Sequence, residues 1–172
     1  MTSPFNALQE PTAAQLNQAV QKIIRRGRRV TSSSASTSTT DIGVLRVSSI
    51  PVLSGDLVAV QSSPLGLDSS VTNDEVRARV RYRLDGVDAG VTDTILPGSK
   101  IQTRQTDANV PEHKTIFATL PIAADGTLSV LLCVARLAGT GNATIFADGT
   151  EDIIELCVWN MGPDPGDSGV DI

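Results

Sequence analysis

Residues 75–84 read EVRARVRYRL. In an extended chain successive side chains point to opposite faces, so Val76, Ala78, Val80, Tyr82 and Leu84 share one face and Arg77, Arg79, Arg81 and Arg83 the other. A helix would scatter both sets around its axis, so the alternation specifies a strand with an apolar face and a cationic face. Arginines two apart on one face lie only ~7 Å from each other. The ladder therefore needs solvent, acidic side chains from an adjacent strand or subunit, or an acidic partner surface. Phosphate or a sulfated sugar also fits, because guanidinium groups bind oxyanions through paired hydrogen bonds. Arg77, Arg79, Arg81 and Arg83 are accordingly the first candidate site, a stripe for ion pairing between subunits or with a partner.

Similar β-type runs extend on both sides of this strand. IGVLRVSSI (42–50), DLVAVQ (56–61), KIQTRQ (100–105), KTIFATL (114–120), TLSVLLCVARL (127–137), NATIFA (142–147) and DIIELCVWN (152–160) are separated by Ser54-Gly55-Asp56, LDSSVTND, Asp85-Gly86, Pro97-Gly98, Asp125-Gly126, AGTGN and Asp148-Gly149-Thr150. These are turn-forming sequences, and no helical period intervenes. About eight strands predict an all-β protein, a jelly-roll-like antiparallel β-sandwich over residues 42–162. The full length of 172 residues suits one such domain plus an extension.

The first thirty residues are of another kind. Lys22, Arg25, Arg26, Arg28 and Arg29 face a single acid, Glu10, in a chain whose net charge is −5. Ala13, Leu16, Val20 and Ile23 recur at helical spacing, Thr12 suits an N-cap, and Gly27 suits a C-terminal stop. The spacing predicts a helix over 12–26, a short N-terminal helical extension that must dock on something, since a helix of ~14 residues is marginal alone in water. Its basic last turn suits the helix dipole or an acidic partner surface. Residues 1–30 are thus an expected anchor helix with Leu16, Val20, Ile23, Arg25, Arg26, Arg28 and Arg29 at its contact. TSSSASTSTT within 31–41 is an expected flexible or extended linker, and 163–172, rich in Pro, Gly and Asp, an exposed tail.

Nothing in the sequence assembles a catalytic, cofactor or metal site. His113 is the single histidine and lies in NVPEHKT without a Gly-x-Ser-x-Gly elbow. Nineteen acids permit carboxylate pairs of the kind glycosidases use, though no spacing marks two of them. GTGN (139–142) has neither phosphate-loop nor dinucleotide spacing and is expected to be a hairpin turn. VTNDE and GPDPGDSGVD lack the periodicity of a calcium loop. Cys133 and Cys157 sit in apolar runs and are expected to be buried thiols without a disulfide. MTSPFNALQE has neither a basic nor an apolar signal region, so synthesis in the cytosol is expected, and no apolar run has the length of a membrane span. The 3% aromatics and the acidic balance argue against nucleic acid as a partner.

The succession VRARVRYRLDG, ILPGSKIQTRQTDANVPE and PIAADGTLSVLLCVARLAGTGNATIFADGTEDIIELCVWNMGPDPGDSGV resembles virion structural proteins, of minor tail or decoration type, from tailed bacteriophages that infect Actinobacteria. The resemblance covers residues 42–171. It departs from that pattern at Trp159-Asn160, where an acidic pair would be expected. It implies a non-enzymatic structural protein located in the virion and assembled in the host cytoplasm. On that basis residues 1–30 attach to other capsid or tail proteins, and the β domain associates with itself as a homotrimer. An alternative is a host-glycan receptor-binding module; a further one is a polysaccharide-cleaving enzyme. Clustered aromatics of the kind that stack on sugar rings are lacking, with Trp159 and Tyr82 expected near strands.

Overall fold

The computed structural model describes residues 22–166. They form twelve strands: β1 (Lys22–Arg29), β2 (Ile42–Val52), β3 (Asp56–Ser62), β4 (Leu65–Ser69), β5 (Glu75–Arg83), β6 (Thr94–Ile95), β7 (Ile101–Arg104), β8 (Glu112–Lys114), β9 (Phe117–Pro121), β10 (Gly126–Ala138), β11 (Ala143–Phe146) and β12 (Ile154–Pro163). No helix among them is long and apolar enough to cross a membrane.

The strands make an antiparallel β-sandwich of jelly-roll type. One sheet runs β1-β12-β3-β9, a second β2-β10-β5-β6 with β7 also on β5, and a smaller third β11-β4-β8. Early strands pair with late ones, β2 and β5 with β10, β3 with β12, β4 with β11. The pairs β3–β12, β4–β11 and β5–β10 are nested, as wrapping one long hairpin into a sandwich produces, while β2 adds to the far side of β10.

Alternation fixes which side of each strand is inside. Val76, Ala78 and Val80 of β5, Leu128, Val130, Leu132 and Val134 of β10, Val58 and Val60 of β3, and Leu156 and Val158 of β12 join one continuous core. Tyr82 and Leu84 pack at its margin, as expected from their side of the strand.

The N-terminal segment departs from expectation. Residues 1–21, with most of the expected helix and with Leu16 and Val20, lie outside the described residues. From Lys22 onward the chain is strand, antiparallel to β12, with Gly27 opposite Leu156. Gly27 therefore does not close a helix. A Cβ there would stand 2.8 Å from Val47 Cγ2, so the glycine lets β1 approach β2 closely. The β-branched Ile23-Ile24 pair and pairing to β12 outweigh the local helical period.

The serine-rich stretch is extended but not loose. The Ser33 N–H donates to the Ile145 carbonyl, and Ser36 exchanges backbone hydrogen bonds with Ala143 of β11. The hydroxyls of Ser32 and Ser33 accept from the N–H groups of Ala147 and Ile145. Side chains able to bond backbone allow a polar sequence to border a sheet.

Candidate functional site

In the arginine ladder and on the outward face of the four-stranded sheet, side chains gather without serving the core. The ladder finds its acid within the chain. Asp41, immediately before β2, is the only acid between Glu10 and Asp56, and β2 flanks β10 on the side opposite β5. Arg77 Nη2 lies 2.9 Å from Asp41 Oδ1, while Arg79 Nε and Arg81 Nε lie 2.8 and 2.7 Å from Oδ2. Arg81 also donates to the carbonyl of Asp93. Arg83 stands apart, pairing with Asp85 at 2.6 Å and lying 3.7 Å from Asp93.

The three converging guanidinium side chains are only 12%, 16% and 11% exposed, and the Asp41 side chain 1%. Burial raises the Asp41 pKa, but hydrogen bonds and charge from Arg79 and Arg81 outweigh it and hold the group below its ordinary 3.8. Cys133, on β10 beside this cluster, is fully buried. Burial and then the Asp41 charge push its thiol up to about 12, so it adds no negative charge. The sequence pattern exposes the ladder; Asp41 it does not, although a lone acid in forty-odd residues closing a Ser/Thr tract is a usable signal.

A second carboxylate is held differently. Asp74, also buried, accepts hydrogen bonds from Ser69 Oγ at 2.7 Å and from the N–H groups of Gly141 and Thr140 at 2.7 and 3.1 Å. Burial raises its pKa, yet these donors prevail and lower it. AGTGN is therefore not a hairpin turn: β10 and β11 belong to different sheets, and the turn between them wraps a carboxylate. This arrangement is structural.

The outward face of β1-β12-β3-β9 is a grid. One row runs Ile23, Trp159, Ala59, Thr119 and the next Arg26, Cys157, Gln61, Phe117. Phe117 is 56% exposed and Ile23 45%. The Trp159 indole N–H is buried and finds no acceptor among the described residues. Cys157 is a free thiol only partly covered, a departure from the expected buried position. Its outward register on β12 is the cause, and burial raises its pKa to about 11. Below these rows two clefts of about 450 and 480 Å³ adjoin, sharing Ser63, Pro64 and Glu155. One reaches Trp159 and Gln61; the other reaches Arg28 and His113, whose Nδ1 lies 3.6 Å from Asp152.

The expected anchor residues separate. Ile23 and Arg26 belong to the grid, and Arg28 lines the cleft. Arg25 reaches the Ser49 carbonyl at 3.3 Å. Arg29 is a lock, donating to the carbonyls of Thr31, Ser32 and Val44 and so tying β1 to β2.

No protein-family model and no curated protein matches the chain. Among solved structures it is similar to the VP2 subviral particle of infectious bursal disease virus (TM-score 0.35, 10% identity, 85% of this chain and 42% of that one). It is also similar to the sugar-binding EclA C-terminal domain (0.31, 14%, 88% and 89%) and to sacbrood virus of honeybee (0.29, 11%, 100% and 83%). The chain thus spans less than half of the VP2 chain it matches.

Proposed function

We propose that this chain is a non-enzymatic structural protein of a virus particle, a tail or decoration component, whose β domain forms a homotrimer through the β1-β12-β3-β9 sheet, by its edge strands and the outward face beside them. The observation that carries this is the pair of rows centred on Trp159 and Cys157, with Ile23 and Phe117 exposed at their ends. An apolar centre bordered by charged Arg26, Arg28 and Glu155 is how association surfaces are built. The resemblance of residues 42–171 to phage virion proteins supports the same role.

The occupant is a second copy of the chain. Among the described residues both ends of the sheet, β1 and β9, are open, and open edges are commonly covered by association. The edges differ in charge: β1 is KIIRRGRR and β9 is FATLP. A two-fold contact of β1 with β1 would oppose like charges, whereas β9 of one copy beside β1 of the next avoids this and makes a three-membered ring when each copy is turned by a third of a revolution. Residues 1–30 attach this ring to the particle through Leu16, Val20 and Arg25, while Ile23, Arg26 and Arg28 of the expected anchor set serve the self-association surface and Arg29 ties β1 to β2.

Sedimentation of the full chain at micromolar concentration gives a trimer, and Phe117→Asp gives a folded monomer. A wild-type monomer overturns the assignment. A host-glycan role is a second reading, favoured by Trp159, Gln61 and Glu155 lining one cleft; binding on a glycan array that is lost in Trp159→Ala would establish it.

A further inference from the structure

The charge at Asp41 does not balance. Three guanidinium groups converge on one carboxylate, leaving two positive charges where each side chain is at least 84% covered. Hydrogen bonding does not balance either. Each guanidinium offers five N–H donors. Among the described residues the three together make five contacts: Arg77 with Thr39 O and Asp41 Oδ1, Arg79 with Asp41 Oδ2, and Arg81 with Asp41 Oδ2 and Asp93 O. The Nε of Arg77 is fully buried with no acceptor. Arg79, in the middle of the ladder, uses Nε alone, so both its Nη groups remain open. Cys133 stays a neutral thiol beside the cluster. Of the acids along the stripe, Glu75, two residues before Arg77 on the same face of β5, makes no ion pair with the three arginines, whose carboxylate partner among the described residues is Asp41, and Asp93 turns its carboxylate to Gly90 N–H and Arg83.

Like charges held a few ångströms apart in a poorly hydrated setting attract an anion strongly, and arrayed forks suit several oxygens on one centre better than a single halide. We propose that Arg77, Arg79 and Arg81 form a binding site for a tetrahedral oxyanion, a phosphate or sulfate group, with Asp41 holding the three forks in place. The source is either the free ion or an ester on a sugar. The site lies on the β2-β10-β5 sheet, away from the face assigned to self-association, so it stands or falls independently of the trimer.

Thermal unfolding of the full chain at constant ionic strength tests it. Replacing chloride by sulfate or phosphate at ~100 times the dissociation constant raises the Tm by about 5 °C or more. The rise disappears in Arg79→Gln and persists in Arg104→Gln, an exposed arginine carrying the same charge change. Titration calorimetry gives one ion per chain, and Arg79→Lys, which keeps the charge but loses the fork, binds at least about ten-fold more weakly. Glucose 6-sulfate binding more tightly than inorganic sulfate identifies an ester as the source; equal or weaker binding identifies the free ion. Equal Tm in chloride and sulfate, or a rise unchanged in both Arg79 variants, overturns the proposal.

Discussion

Asp41 decides the fate of three arginines. Replacing it by Ala leaves Arg77, Arg79 and Arg81 buried without a counter-charge, a change that costs about 3 kcal/mol. Urea unfolding at pH 7 checks this. Because the folded-state pKa of Asp41 lies below 3.8, the folded chain releases its proton more readily than the unfolded one. The stabilisation is complete above pH 3.8 and is lost as the pH falls through the lower folded value. The stability gap between wild type and Asp41→Asn is therefore widest near neutrality and closes below about pH 3.8.

Two glycines separate conformational strain from steric conflict. Gly55 and Gly139 both have left-handed φ, +86° and +99°, but a Cβ at Gly55 meets nothing within 4 Å, whereas at Gly139 it would fall 1.7 Å from Asp74 Oδ1. Gly55→Ala costs about 1 kcal/mol from backbone strain. Gly139→Ala costs about 3 kcal/mol, since the Asp74 cradle must also open. Equal losses in urea titrations of the two variants would show that the cradle yields freely.

At the scale of elements, strands with clear alternation were legible and those built by other means were not. EVRARVRYRL reads directly because its two faces differ so sharply, and β10 and β12 follow from long apolar runs. β4, LGLDS, is buried along its whole length, so it has no alternation to read. β1 carries a helical period in a strand, and only contact with β12 and β2 resolves the conflict. The grid around Trp159 was hidden for the same reason: it is made by register across four strands that are far apart in sequence. Of the candidate site, the ladder was visible and its acid was not, because no local pattern links residue 41 to residues 77–81.

The serine strap allows a test at this scale. Ser33 Oγ lies 2.9 Å from the N–H of Ile145, a buried donor. Ser33→Ala strands it and costs about 1–3 kcal/mol. Ser34→Ala, at an exposed neighbour, leaves stability unchanged. Chemical denaturation of the pair distinguishes a strap that supports β11 from one that merely lies beside it.

For the molecule as a whole, each large sheet is organised around a strand from the last third of the chain. β10 separates β2 from β5, and β12 separates β1 from β3. During translation, then, the early strands emerge from the ribosome without their central partners: the β2-β10-β5 layer cannot close before residue 138 has been made, nor the β1-β12-β3 layer before residues near 163. Such a chain folds late and slowly, as non-local pairing requires, and nascent copies carry unsatisfied strand edges for most of their synthesis. A stop anywhere before Ile154 removes the middle of one layer and leaves a polypeptide prone to aggregate rather than a smaller domain.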